Sequence, residues 1–514
     1  MGVGLEIGIL SPIPVRVGWR WVVGCWVVCG WFGGLGAGAV AAERPNIVLI
    51  LADDLGYGDL GVYGQRKIAT PELDRMAAEG LRFTDFYAAS PICRPSRYSL
   101  LTGRHQGRAF VRDNREGVQA VLRDEDLTIA RLLQRDGYAT GGFGKWGLGG
   151  ADSSGSPDRQ GFDRWFGYLD QARAHRHHVD HLWRDGERVA VDRDAYSHDL
   201  IFDEALDFVR AHREEPFFLY LAVTLPHADL DVPQDSLAPY LGAFEEVPFT
   251  SRSPLAHGYT PQPTPRAAYA GMVSRLDRDV GRLLRLLGEL GIDERTAVFF
   301  TSDNGPSPGG GSDPAFFDSA GGLRGVKREL YEGGIRVPLI VRWPGRVPAG
   351  ATTGAVAAGW DLPATFGELA GAGPPPEGDG ISLVPVLVQS ASVEREALYF
   401  ESHAQGFQQA LRSGRWKLIR EGDDARPRLY DLEADPGETR DLAADHPPIV
   451  ERLVALMEAE REDWPFDRGP RGAVLLDAPR GLLVGAVGAA VALLLLGARL
   501  LARRRSGTRV RPDV

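Results

Sequence analysis

The sequence predicts an α/β fold: a large, mostly parallel sheet flanked by helices, followed by a smaller C-terminal α+β domain on an antiparallel sheet. Three observations predict it. Asn46-Ile47-Val48-Leu49-Ile50-Leu51-Ala52 and Ala297-Val298-Phe299-Phe300-Thr301 are short continuous apolar runs, the pattern of strands buried on both faces. Helical periodicities lie between them, at Leu73–Glu79, Leu127–Asp136 and Ala268–Leu290, with a further strand pattern at Phe217–Val223. Strands alternating with helices build parallel sheets. After a Pro- and Gly-rich stretch, Ala372–Gly380, short strand patterns follow one another without helices between them.

Taken in order, residues 1–42 read as a signal peptide. Arg16 and Arg20 precede a mostly apolar run from Trp21 to Val40, and Ala39-Val40-Ala41-Ala42 has the small residues of a cleavage site. An uncleaved anchor is the competing reading. The larger domain spans 44–371. The smaller spans 381–465, with strands at Ala397–Phe400, Gln409–Leu411, Trp416–Ile419 and Arg428–Asp431 and a helix at Pro448–Asp463. Residues 466–480 form a tether. Residues 481–502 are apolar except for Arg499 and precede Arg503-Arg504-Arg505. About 18 to 20 such residues suffice for a membrane helix, and the basic flank puts the tail, 503–514, in the cytoplasm. A processed C-terminal sorting signal would look much the same. The body of the protein is then exported and tethered to the membrane. A net charge of −11 argues against a nucleic-acid partner and means that an anionic substrate needs a local basic site.

Of three cysteines, Cys25 and Cys29 fall in the export segment, so the mature chain keeps only Cys93. It has no disulfide partner. Its setting, Cys93-Arg94-Pro95-Ser96-Arg97, is not that of a core strand. A helix opening near Pro95 puts Cys93 and Arg97 on one face. Asp53-Asp54 and Asp303-Asn304 follow the two apolar runs. Ligands in such sheets bind beyond the carboxyl ends of the strands, and four oxygen-bearing side chains there suit a hard cation such as Ca²⁺ or Mg²⁺. Read alone, either pair is equally a solvated loop. Lys145 and Lys327 are candidate anion ligands, although a single lysine is more often a surface charge. His227, after the strand at Phe217–Val223, suits a general acid or a satisfied structural histidine.

These motifs together resemble the formylglycine-dependent sulfatases of the alkaline phosphatase superfamily. The resemblance runs from Arg44 to about Trp464. It is carried by Asp53-Asp54-Leu55-Gly56-Tyr57-Gly58-Asp59, the Cys93 motif with Leu100-Leu101-Thr102-Gly103-Arg104, Gly144-Lys145-Trp146, Ser302-Asp303-Asn304-Gly305, Leu323-Arg324-Gly325 with Lys327, and Leu429-Tyr430-Asp431-Leu432. It implies an alkaline phosphatase-like fold and a sulfatase acting on sulfate monoesters, with a sulfated carbohydrate as the expected substrate. It implies Ca²⁺, with Mg²⁺ the alternative, held by Asp53, Asp54, Asp303, Asn304 and residue 93. Cys93 is expected to be oxidised to formylglycine by a formylglycine-generating enzyme. Arg97 and Lys145 would orient the aldehyde hydrate, and Lys327 and His227 would contact the sulfate, His227 as proton donor. One departure is Gly147, where many sulfatases carry His. His175, in Ala174-His175-Arg176-His177-His178, is the candidate to fill that role or to contact substrate. A second departure is Ser312, where similar sequences carry His. His403 and Gln405 are candidates to reach the pocket from the small domain. Two rival readings remain at this point: a phosphate or phosphonate monoester hydrolase of the same superfamily, and a decayed sulfoglycan-binding surface protein.

Overall fold

The protein is described from a computed structural model that covers residue 1 and residues 44–114, 120–250, 258–422 and 425–462. But for Met1, the expected signal peptide lies outside the described residues, as do the expected tether, membrane helix and tail. Among the described residues no helix is long and apolar enough to cross a membrane.

Sixteen strands are described: β1 (Asn46–Ala52), β2 (Leu81–Phe83), β3 (Phe86–Tyr87), β4 (Ala139–Lys145), β5 (Arg164–Tyr168), β6 (His181–Arg184), β7 (Glu187–Ala190), β8 (Phe217–Ala222), β9 (Thr296–Ser302), β10 (Leu339–Arg342), β11 (Ala351–Thr353), β12 (Ala357–Ala358), β13 (Leu398–Ser402), β14 (Gln408–Ser413), β15 (Trp416–Glu421) and β16 (Arg428–Asp431). Ten of them form one sheet in the order β11-β2-β10-β9-β1-β8-β4-β5-β6-β7. Its centre, β9-β1-β8-β4-β5, is parallel throughout. The sheet is antiparallel where β10 meets β2 and β9, and again across β5-β6-β7. The β6–β7 reversal is a two-residue turn in which Asp185 and Gly186 both have positive φ, 50° and 83°. That is the backbone a tight hairpin requires.

The apolar runs form the centre because both faces of the sheet are covered. Val48, Ile50 and Ala52 of β1 point into one core; Ile47, Leu49 and Leu51 point into the other. β8 and β9 divide their side chains the same way, as the two-residue period of a strand dictates. Helices Ser197–Ala211 and Pro265–Glu289 cover the first face, and helices Cys93–Thr102, Ile129–Arg135 and Asp361–Ala370 cover the second. Each fully buried Val, Leu or Ile contributes roughly 1.5–3 kcal/mol.

The helix boundaries all shift from the sequence reading, and for two of them the local cause is plain. The helix expected over Leu127–Asp136 runs Ile129–Arg135, because Thr128 caps it: its hydroxyl oxygen accepts from the Arg131 amide at 3.2 Å. The helix expected to open near Pro95 opens at Cys93 itself. Pro95 is tolerated there because first-turn amides have no intrahelical acceptor.

The small domain is the antiparallel sheet β13-β14-β15-β16. Leu398, Phe400, Ala410, Ile419 and Tyr430 pack with Tyr87, Tyr331 and Trp360 of the large domain. Tyr399, Leu411, Leu418 and Leu429 face the helix Pro447–Ala459 through Leu453 and Met457. A buried ion network also crosses this boundary. Glu332 accepts from Lys417 Nζ (2.8 Å) and Tyr87 Oη (2.6 Å), and its amide donates to Glu438 (2.7 Å).

Candidate active site

Four adjacent parallel strands deliver the site. β1 runs into Asp53 and Asp54, β9 into Asp303 and Asn304, β4 ends on Lys145, and β8 leads into the turn bearing His227. All four open on the carboxyl edge of the sheet. The strand ends are sewn together by backbone bonds: the Asp303 amide donates to Ala52 O at 3.0 Å and the Asp53 amide to Leu225 O at 3.1 Å. Gly144 brings Lys145 close to β8. Its φ is +113°, and a Cβ there would lie 1.9 Å from Ala222 O.

Cys93, at the first position of its helix, is fully buried at the centre. Its Sγ lies 3.4 Å from Asp53 Oδ1 and 3.2 Å from Lys327 Nζ. Lys145 Nζ donates to Asp53 Oδ2 at 2.6 Å, and Lys327 Nζ to Asp54 Oδ1 at 2.5 Å. Arg97, four residues after Cys93 on the same helix face, meets Asp303 Oδ2 through Nε (3.0 Å) and Nη2 (2.8 Å). Its Nη1 donates to Lys145 O at 2.9 Å. Three carboxylates therefore meet three cations in a buried cluster whose charges balance.

Burial dominates the electrostatics. It pushes the Cys93 thiol up to about 12 against the pull of Lys145 and Lys327, so an unmodified cysteine stays protonated at neutral pH. Burial also opposes ionisation of Asp53, but Lys145, His227 and Arg97 outweigh it and hold the carboxyl well below its usual range. Asp303 rises to about 7 through burial and the neighbouring Asp53. Burial disfavours the charge on Lys327, yet Asp54 and the thiol lift its pKa well above the ordinary value.

The donor set fits a hard divalent cation. Asp54 Oδ2 and Asn304 Oδ1 are buried without a hydrogen-bond partner. Asn304 turns its amide nitrogen to Asp54 Oδ1 (2.7 Å) and Gly305 O (2.8 Å), leaving its oxygen free. Asp53, Asp54, Cys93 and His227 each bring one ligand atom within 4.8 Å of the others. Oxygen-rich sets of this kind are those of Ca²⁺ and Mg²⁺.

His227 points Nδ1 at the Ala228 carbonyl (2.5 Å) and Nε2 toward Asp54 Oδ2 (3.4 Å). Burial, then Lys327, depress its pKa well below 6.5. His175 stacks on it, with centroids 4.0 Å apart and planes at 17°. The residues expected at the site converge, except His403 and Gln405. That imidazole bonds Glu401 on β13 at 3.0 Å, and Glu401 also takes Arg112 (3.1 Å) and Arg461 (3.2 Å). Gln405 lies exposed on the same β13–β14 connection.

Sequence reasoning missed three neighbours. Arg94 donates from Nε to Gly147 O at 2.7 Å and fixes the loop after β4. Tyr259 stands over the imidazole pair, its ring centroid 6.3 Å from that of His175 and of His227. Gln171 packs on Gly147. Arg94 stands inside the Cys93 motif, where no role was read for it; no local pattern marked Tyr259.

A family model described as Sulfatase matches residues 45–372, and one described as N-sulphoglucosamine sulphohydrolase, C-terminal, matches residues 325–463. N-acetylgalactosamine-6-sulfatase of Canis lupus familiaris is 35% identical over 428 residues, covering 76% of this chain and 74% of the relative. Arylsulfatase A of Homo sapiens is 34% identical over 495 residues, covering 82% and 89%. The crystal structure of Ps i-CgsB in complex with k-i-k-neocarrahexaose superposes with a TM-score of 0.71 at 29% identity, covering 82% of this chain and 94% of that one.

Proposed function

The chain belongs to the sulfatase family of sulfuric ester hydrolases, and from that membership we propose that it cleaves sulfate monoesters of a carbohydrate, using residue 93 as formylglycine and a calcium or magnesium ion. The observation that carries this reading is the shell around Cys93: Asp53 and Lys327 on its sulfur, with Lys145 and Arg97 behind them.

Several features support the roles. A thiol whose pKa is pushed up to about 12 is a poor nucleophile, which favours conversion before catalysis. The hydrated aldehyde would supply two hydroxyls on one carbon, one to attack sulfur and one to let sulfate leave as the aldehyde re-forms. Asp53, Asp54, Asp303 and Asn304 would hold the cation, which when bound polarises the sulfate oxygens. Lys145 and Arg97 hold the nucleophile's surroundings in place. Lys327, within 3.2 Å of the residue 93 side chain, would offset the charge of the sulfate; at 4 Å such a pair is worth about 4 kcal/mol at an effective dielectric of 20. His227, with Nδ1–H donated to a backbone carbonyl, would pass a proton from Nε2 to the leaving oxygen only as imidazolium, a form that the charge of a bound sulfate would favour. The chain's own N-terminal pattern supports export, and its apolar stretch at 481–502 supports a membrane anchor. A formylglycine-generating enzyme is then the required partner.

The test has two parts. The tryptic peptide ending at Arg97, from protein made in its own host, should have lost the cysteine sulfur. The same protein should release sulfate from sulfated monosaccharides, with N-acetylgalactosamine 6-sulfate tried first because of the relatives' names. Faster release of phosphate from matched phosphate esters would overturn the assignment. So would an intact cysteine in active protein.

A further inference from the structure

Glu438 follows β16 in the small domain and has no exposed surface. It holds the large domain at two points. Its Oε2 accepts from the Glu332 amide at 2.7 Å, and its carbonyl oxygen accepts from Arg324 Nη1 at 2.8 Å. Lys417 on β15 steadies the carboxylate: its Nζ lies 3.0 Å from Glu438 Oε1 and 2.8 Å from Glu332 Oε1. The backbone of Glu438 has φ +51°, a left-handed conformation that residues with a side chain seldom adopt. Such a conformation persists where the surroundings over-determine it, and here both the carboxylate and the carbonyl are held.

The two points flank Lys327 in sequence. Residues 324–329 form a tight loop, in which the Glu329 amide donates to Val326 O (3.0 Å) and the Val326 amide to Glu329 Oε2 (3.1 Å). That loop is seated on the turn Glu332–Ile335. The Gly333 amide donates to Arg324 O at 2.6 Å. A Cβ on Gly333 would lie 2.3 Å from Gly325 O, and one on Gly334 would lie 2.0 Å from Glu329 O. Backbone therefore meets backbone with no side chain between them, and close-packed contacts of this kind transmit displacement. Lys327 has its amide on Pro306 O (2.9 Å) and its Nζ 3.2 Å from Cys93 Sγ. Its charge rides on a flexible four-carbon stem, so the ammonium is only as well placed as the loop beneath it.

We propose that Glu438 is a positioning residue for Lys327: by holding Arg324 and Glu332 on either side of the loop, the small domain sets where the ammonium stands beside residue 93. The reaction that Lys327 serves rests on the sulfatase reading; the clamp rests on the contacts alone.

The lysines are Lys67, Lys145, Lys327 and Lys417, few enough for full-chain protein labelled with ¹³C at the lysine ε-carbon to be read signal by signal in NMR spectra. Loss of a signal in Lys327→Arg or Lys145→Arg assigns the two at the site. Glu438→Ala removes the carboxylate; it should shift the Lys327 signal, leave that of Lys145 in place, and lower kcat/KM for sulfate release at least tenfold. Arg324→Met breaks the second point from an exposed position and spares the buried carboxylate, so it decides the matter should Glu438→Ala unfold. It should shift the Lys327 signal too and lower kcat/KM at least threefold. A Lys327 signal unmoved by these variants overturns the proposal. So do Lys327 and Lys145 signals that move together, which would mark a general loosening. Wild-type kcat/KM in a variant whose Lys327 signal has moved also overturns it. Wild-type protein that releases no sulfate overturns the sulfatase reading, while a Lys327 signal shifted by Glu438→Ala would still establish the clamp.

Discussion

Arg97 grips one oxygen of Asp303 twice, through Nε at 3.0 Å and Nη2 at 2.8 Å, and neither side chain has any exposed surface. The guanidinium lies on the nucleophile's helix and the carboxylate at the end of β9. The pair therefore fixes the helix against the sheet at the point where the chemistry is proposed. Arg97→Lys keeps the charge but loses the planar fork. It should lower kcat/KM for sulfate release at least tenfold, about 1.4 kcal/mol. Arg97→Met leaves Asp303 unpaired and should destabilise the fold by about 3–5 kcal/mol. Urea unfolding of both variants checks this. Wild-type stability in Arg97→Met would show that the pair does not hold the helix in place.

The unpartnered oxygens of Asp54 and Asn304 predict a response to cations. Chelator-treated protein should lose activity and melt lower, and Ca²⁺ or Mg²⁺ should restore both. Saturation to about 100 times Kd is worth about 2.7 kcal/mol. Asp54→Ala should abolish the rise in Tm on adding cation. A Tm indifferent to chelator and cation would remove the metal from the proposed mechanism.

Lys417 is the cation between Glu332 (2.8 Å) and Glu438 (3.0 Å), and all three are buried. Burial and then Glu332 raise Glu438 to about 7 even though Lys417 opposes the shift. Lys417→Met should cost about 3–5 kcal/mol. A carboxyl whose folded pKa is raised stabilises the fold most below its unfolded pKa, and that contribution is lost as pH rises through the folded value. The variant should therefore be hurt more at pH 8 than at pH 5. Equal losses in melting temperature at the two pH values would place the penalty elsewhere.

Acid should loosen the protein through its buried imidazoles. Burial holds His177 and His227 below the ordinary value of 6.5. Below that pH the unfolded chain binds more protons than the folded one, so stability is full above about 6.5 and falls as pH drops toward the depressed values. His177 sits away from the carboxylate cluster, with Nε2 on Asp229 O at 3.0 Å. His177→Gln keeps a donor without the titration and should flatten part of the loss in Tm between pH 7 and pH 5. An unchanged slope would assign the acid response to other groups.

The large sheet was legible because its central strands advertise themselves locally. A run such as Ile47–Leu51 can be satisfied only by burial on both faces, and the acidic pairs that end β1 and β9 were placed at one edge by topology alone. The short strands, β2, β3, β11 and β12, carry two or three residues each, too few for any period to register. Most site residues were legible for a different reason: Cys93, Arg97, Lys145 and Lys327 sit in motifs that carry a family resemblance.

By itself, then, the sequence determined the strand–helix alternation, the two domains' character and the residue types gathered for chemistry, since these depend on periodicity and on motifs a few residues long. Tertiary structure alone decided which groups meet. Lys327 reaches Cys93 across 234 positions, and His403 turns to Glu401, which Arg112 and Arg461 also hold on the small sheet. Gln171 fills the room that Gly147 leaves, a relation set by how the turn after β5 packs on the end of β4. The long-range contacts, Lys327 with Cys93 and Arg112 with Glu401, are chosen by the packing of whole elements and by the need to pair buried charge, and no short window along the chain contains both partners.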